Sequence, residues 1–229
     1  MEGQADYSFS GFFNNIVKQL KPITDLLNKE GYEAIICDDS ENGASILPLK
    51  LAAIRAGFGW QGKNSLLINK KYGSFLALGG ILTNATLDYS SPEEVNRCKS
   101  CNKCQQACPT KALDESYLLD KNKCLSYLLQ NDNFPEEAKS FVKNKVMDCE
   151  ICQEACPWNN KHIKNPLNTE LTESFKNEAP KWLEFFSVPK LINLTESEYK
   201  AMLGYLDTGV AYELFCRNVE MVYENYRSL

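Results

Sequence analysis

The sequence predicts an α+β chain in three stretches: a small α/β part over residues 1–90, a compact cysteine-rich module over 91–165 and a helical tail over 166–229. Three observations predict it. In the first ninety positions, apolar residues alternate between a three-and-four spacing and short unbroken runs, the marks of helices interleaved with strands. Eight of the ten cysteines then fall between Cys98 and Cys156, in two runs and one bridging position. Beyond Asn165 the chain turns acidic, and its apolar positions again recur at helical spacing.

Taken in order, Phe12, Ile16, Leu20, Ile23, Leu26 and Leu27 predict a helix over 9–31, or two broken near Pro22, with Gly31 as the C-cap. Residues 32–37, Tyr-Glu-Ala-Ile-Ile-Cys, predict a buried strand, and Asp38, Asp39, Ser40 and Asn42-Gly43 turn the chain. A second helix is expected over 45–55. A glycine-punctuated loop follows over 56–64, then two strands over 65–69 and 74–83 about a turn at Lys70 to Gly73. In the module, short helices should follow Cys104 and Cys152, with a bridging helix over 135–146. In the tail, Leu194-Thr195-Glu196-Ser197-Glu198 reads as a capping box and residues 210–226 carry a helical stripe.

Composition excludes several classes. Hydrophobic residues at 44% and charged residues at 24% of 229 are ordinary for a globular chain. No apolar run approaches the ~20 residues that span a bilayer. The opening Met-Glu-Gly-Gln-Ala-Asp has neither a basic n-region nor an apolar h-region, so a reducing cytoplasm is the expected home. A net charge of −5 argues against a strong nucleic-acid footprint. Lys139, Lys143 and Lys145 read as a solvated helix face.

The cysteines carry the chemistry. The first run, Cys98-Lys-Ser-Cys101-Asn-Lys-Cys104-Gln-Gln-Ala-Cys108-Pro109, is the C-x2-C-x2-C-x3-C-P pattern, in which three thiolates hold one [4Fe–4S] cube and the fourth ligates another. The second run, Cys149-Glu-Ile-Cys152-Gln-Glu-Ala-Cys156-Pro157, has one cysteine fewer, and Cys124 replaces it. The self-consistent assignment gives one cluster Cys98, Cys101, Cys104 and Cys156, and the other Cys108, Cys124, Cys149 and Cys152. Zinc usually draws on two C-x2-C pairs rather than an even triplet closed by Cys-Pro. A disulfide framework would need a secretory context. Single-electron transfer is the expected chemistry. Outside the runs, Cys37 and Cys216 read as small buried hydrophobes.

Arg55-Ala-Gly-Phe-Gly-Trp60-Gln-Gly62-Lys63-Asn64-Ser-Leu-Leu-Ile-Asn69, Tyr72-Gly73-Ser74 and Gly80-Ile-Leu-Thr83 resemble the stretch before the clusters in epoxyqueuosine reductases. Both cysteine runs, Lys123-Cys124-Leu-Ser126-Tyr127-Leu and Cys156-Pro157-Trp158-Asn159 continue the likeness in register, and Arg217-Asn218 resembles the start of that family's helical tail. The resemblance implies a cobalamin-binding α/β domain joined to a two-cluster ferredoxin domain, fed by a donor such as a ferredoxin or flavodoxin. It implies that electrons pass one at a time to a corrinoid, for reduction of an epoxide in tRNA.

On that implication Gly57, Gly59, Trp60, Gly62, Lys63 and Asn64 form the corrinoid's wall, and Ser126 and Tyr127 lie beside a cluster. Trp60 stacks near a cofactor or packs in the core, and Trp158 shields a cluster from water. Asp39, in an Asp-Ser pair like the family's, is either the proton donor or a turn-forming residue. His162 is solvent-facing or has an axial or supporting role. The acidic balance predicts that tRNA is not gripped as in the family. A two-cluster ferredoxin-type electron carrier with no corrinoid of its own stays open as the alternative.

Overall fold

Helix α1 (Phe12–Lys29) runs unbroken through Pro22. Its end is a Schellman motif: Gly31 at φ +89° lets its N–H reach Asn28 O while Tyr32 N–H reaches Leu27 O. The computed structural model describes residues 12–37, 47–88, 94–164, 177, 184–202 and 210–227. Ile16 and Leu20 of α1 pack over Gly79, where any Cβ would strike them. Ile23 and Leu26, members of the same stripe, are exposed.

Strand β1 (Ala34–Cys37) pairs antiparallel with β4 (Gly80–Thr83), Ala34 facing Thr83 and Cys37 facing Gly80. The expectation of a buried strand is only partly met. Cys37 is fully buried, but Ile35 is 52% exposed, because this sheet has two strands and α1 packs on it. Helix α2 (Leu49–Arg55) begins later than expected, with Pro48 at its N-cap. It ends in a second Schellman motif, Gly57 N–H to Ile54 O and Phe58 N–H to Ala53 O, with Gly57 at φ +75°. A tight hairpin follows, β2 (Trp60–Gln61) against β3 (Leu67–Ile68).

The module contributes α3 (Lys103–Ala107), α4 (Leu125–Leu129), α5 (Lys139–Val142), α6 (Ile151–Glu154) and α7 (Asn160–Lys164). The bridging helix expected over 135–146 is a 3₁₀ turn (Glu136–Ala138) and one α-turn. Lys143 at φ +50° stops it. Lys145 therefore does not lie on a solvated helix face but is buried, 3.6 Å from Glu154.

The tail supplies α8 (Val188–Leu191), α9 (Glu196–Met202) and α10 (Tyr212–Arg227). The largest apolar core joins it to the module: Phe215, Val219 and Val222 of α10 meet Leu125, Leu129, Val142 and Val146. Asn218 is fully buried there and donates to Leu129 O and Val146 O, both at 2.8 Å. Neighbouring Arg217 reaches the carbonyls of Leu128, Leu129 and Asn131. No helix among the described residues is long and apolar enough to cross a membrane.

Candidate metal centre

Two similar loops present the cysteines. In the first, Lys99 at φ +42° closes a turn in which Cys101 N–H meets Cys98 O, and α3 then raises Cys104. In the second, α6 raises Cys152 and Cys156 N–H meets Gln153 O. Helices α3 and α6 pack on each other. Cys108 and Cys124 both sit in extended backbone, one closing α3 and the other opening α4.

The thiols fall into two groups that meet at Cys104 and Cys152. Burial raises the Cys104 and Cys156 thiols above their ordinary value; like charge at Cys156 and Cys98 adds to this at Cys104, and like charge at Cys98 and Cys101 at Cys156. Burial likewise pushes Cys149 up to about 11, with Cys124 and Cys108 as like-charged neighbours and Lys145 opposing. Cys152 is pushed up to about 12, by burial first and then by Cys149, Cys124, Cys104 and Cys108. Thiolate is the form that ligates, and a bound metal cation favours it.

Cys108, Cys124, Cys149 and Cys152 also line a single cavity of about 270 Å³. Four soft sulfur donors around one void suit an iron–sulfur cube. No three His, Cys, Asp or Glu side chains among the described residues converge as a single metal ion requires. All ten cysteines are free of disulfides.

The hairpin packs against these loops. Trp60, 1% exposed, contacts Ile68 and Cys156, with Cys98 and Trp158 alongside, and its ring meets Trp158 edge-on at 4.9 Å. Gly59 and Gly62 serve the hairpin itself: a Cβ at either would run into Ile68. Asn64, 4% exposed, lines the cavity beside Cys108, Cys124, Cys149 and Cys152. Lys63 is half-buried, and its carbonyl accepts from Tyr117 N–H. Ser126 lines the same cavity and donates to Asp148 at 2.8 Å, whereas Tyr127 is 37% exposed under the Lys121 ammonium. His162 is half-buried, with Nε2 2.8 Å from Lys71 O. Asp39 falls outside the described residues.

A second lock ties the α/β part to the module. Fully buried Asn159 accepts from Ser74 N–H at 2.8 Å and donates to Ser74 Oγ and Gln153 O. Gly73 is required there because a side chain would occupy the place of the Asn159 amide. The sequence reading does not pick out Lys145, Asp148 or Gln153 as site residues, although each lies within four positions of a run cysteine.

Comparison with known proteins agrees with this geometry. Residues 97–159 match the family described as a 4Fe-4S double cluster binding domain. An epoxyqueuosine reductase from Prochlorococcus marinus is 33% identical over 205 residues, 87% of this chain and 62% of that protein. The solved epoxyqueuosine reductase from Streptococcus thermophilus superposes with a TM-score of 0.79 at 26% identity, over 97% of this chain and 58% of its own. An epoxyqueuosine reductase solved with an epoxyqueuosine-modified tRNA-Tyr stem loop shares the fold with a TM-score of 0.75 at 23% identity, over 99% and 56% respectively. The chain spans about three-fifths of the length of each of these relatives. With the double-cluster module in register and the likeness running through nearly all its residues, the chain belongs to the epoxyqueuosine reductase-like family.

Proposed function

We propose that this chain is a cytoplasmic iron–sulfur reductase of the epoxyqueuosine type. Cys98, Cys101, Cys104 and Cys156 hold one [4Fe–4S] cluster, and Cys108, Cys124, Cys149 and Cys152 hold the other. A bound cube exchanges one electron at a time with a ferredoxin- or flavodoxin-type donor. The observation behind this reading is the set of four thiols, Cys108, Cys124, Cys149 and Cys152, around a single cavity, with Cys156 packed beside Cys98 under Trp60. The protein's own contribution is to hold the thiolates, to cover Cys156 from water with Trp60 and Trp158, and to offset negative charge at Cys149 with buried Lys145.

A corrinoid is the finer part of the proposal, and when bound it supplies the cobalt for the reductive step. An open cleft of about 670 Å³, lined by Gln61, Ser65, Leu66, Tyr117 and Leu119, shares Leu66 and Leu119 with the cluster cavity. These residues would hold it, rather than Gly59, Trp60 and Gly62, which the hairpin's own packing uses. That same packing favours the second reading, a two-cluster electron carrier without a corrinoid. A tRNA substrate belongs to the first reading. It rests on the relatives, and with a net charge of −5 it requires a local contact surface.

Titrating anaerobically reconstituted protein with cob(II)alamin separates the readings. A changed cobalt EPR spectrum, with loss of the epoxide from a modified stem loop, supports the reductase. An unchanged spectrum with fast electron transfer to a partner supports the carrier.

A further inference from the structure

Among the described residues, the buried side-chain polar atoms without a hydrogen-bond partner are Trp60 Nε1, Asn64 Nδ2, Ser65 Oγ and Arg97 Nε. Three of the four belong to the β2–β3 hairpin, and the fourth directly precedes Cys98. Buried N–H groups in native proteins are almost always paired, so a cluster of orphans calls for an acceptor. Trp60 is 1% exposed and packs with Cys156 and Cys98. Asn64 is 4% exposed and lines the cavity formed by Cys108, Cys124, Cys149 and Cys152. The Asn64 Oδ1 is already used by Leu66 N–H at 3.4 Å, which leaves its amide N–H₂ free to donate. One hairpin thus carries an unpaired donor beside each set of thiols.

We infer that the β2–β3 hairpin is a potential-setting clamp: Asn64 Nδ2–H donates to a sulfur of one cluster and Trp60 Nε1–H to a sulfur of the other. The inference rests on the ligand assignment proposed above. Hydrogen bonds to cluster sulfurs favour the more negative, reduced form and so raise the reduction potential. The hairpin is fixed to the module for this purpose. Gln61 Nε2 donates to Tyr117 O at 3.2 Å, Tyr117 N–H to Lys63 O at 3.2 Å, and Asn96 Nδ2 to Gln61 O at 3.0 Å. Asn64 and Trp60 act on the clusters directly, as hydrogen-bond donors that do not ligate iron.

The test is redox-poised EPR of the reconstituted full chain carrying Asn64→Leu, which keeps a branched side chain of similar shape, or Trp60→Phe, which keeps an aromatic ring; each loses its donor. At a fixed potential, each substitution should lower the reduced-to-oxidised ratio of one cluster about tenfold, and of a different cluster in each variant. Iron and sulfide content should stay at the wild-type level. Unchanged midpoints in both fully loaded variants overturn the inference. If Asn64→Leu fails to load, Trp60→Phe decides alone, since its ring still packs on Trp158. A wild-type chain holding far fewer than eight irons instead refutes the ligand assignment on which the inference rests.

Discussion

Cys156 lies in sequence with the second run and in space with the first. That crossing gives a sharp prediction. Replacing Cys156 or Cys98 by Ser should abolish the same EPR signal and reduce iron from about eight to about four per chain. Cys152→Ser should abolish the other signal. If Cys156→Ser and Cys152→Ser abolish the same signal, the crossing is wrong. Gly59 is the other residue where geometry leaves no latitude, because its neighbour is the backbone carbonyl of Ile68. Gly59→Ala should therefore destabilise by about 1–3 kcal/mol, read as a lowered urea midpoint with the slope unchanged. The glycines of this loop are visible in the sequence, but the reason for them is not. It depends on a strand pairing that becomes apparent only once β3 is in place.

At the scale of elements, helix α10 is held by Asn218, which satisfies two buried carbonyls from different segments. Asn218→Ala strands the Val146 carbonyl, while Leu129 O keeps the Arg217 guanidinium as a donor, and should cost about 1–3 kcal/mol in chemical denaturation. Helix α9 starts in a capping box: Glu198 N–H donates to Thr195 Oγ1, and Thr195 N–H donates to the Glu198 carboxylate. That backbone bond, followed by Lys190 and the Thr195 hydroxyl, lowers Glu198 from its ordinary 4.5 to about 2. A depressed carboxylate stabilises the fold above its ordinary value, and the contribution is lost only as pH falls toward about 2. The Glu198 carboxyl carbon should accordingly show no NMR titration as pH falls through 4.5; a full titration step there would contradict the cap.

Helices and their ends are legible in the sequence because the information is local. Gly31, the capping box and the stripe at Phe215, Val219 and Val222 all lie where the spacing puts them. The sheets are less legible. Strand β1 finds its partner in β4 across more than forty residues, and β2 and β3 are two residues each, too short for a period to show. The bridging helix fails at Lys143 for a conformational reason that propensity does not register.

In the whole molecule, the cysteine module is clasped from both sides. The α/β part grips it through Asn159 on Ser74 and through Trp60 on Trp158, and the tail through Arg217 and Asn218 on the segment after Cys124. The cysteines are legible because ligand spacing is local, whereas the residues that enclose them come from 85 positions away or more in the cases of Ser74–Asn159 and Arg217–Asn131. Breaking the first clasp with Asn159→Ala should therefore loosen cluster retention without touching a ligand, seen as faster bleaching of the visible absorbance on exposure to a chelator.

The most direct measurement is the iron, acid-labile sulfide and zinc content of anaerobically prepared protein, together with EPR of the dithionite-reduced sample. About eight irons and eight sulfides per chain, negligible zinc and two interacting [4Fe–4S] signals are expected. Stoichiometric zinc with no labile sulfide would contradict the two-cluster assignment.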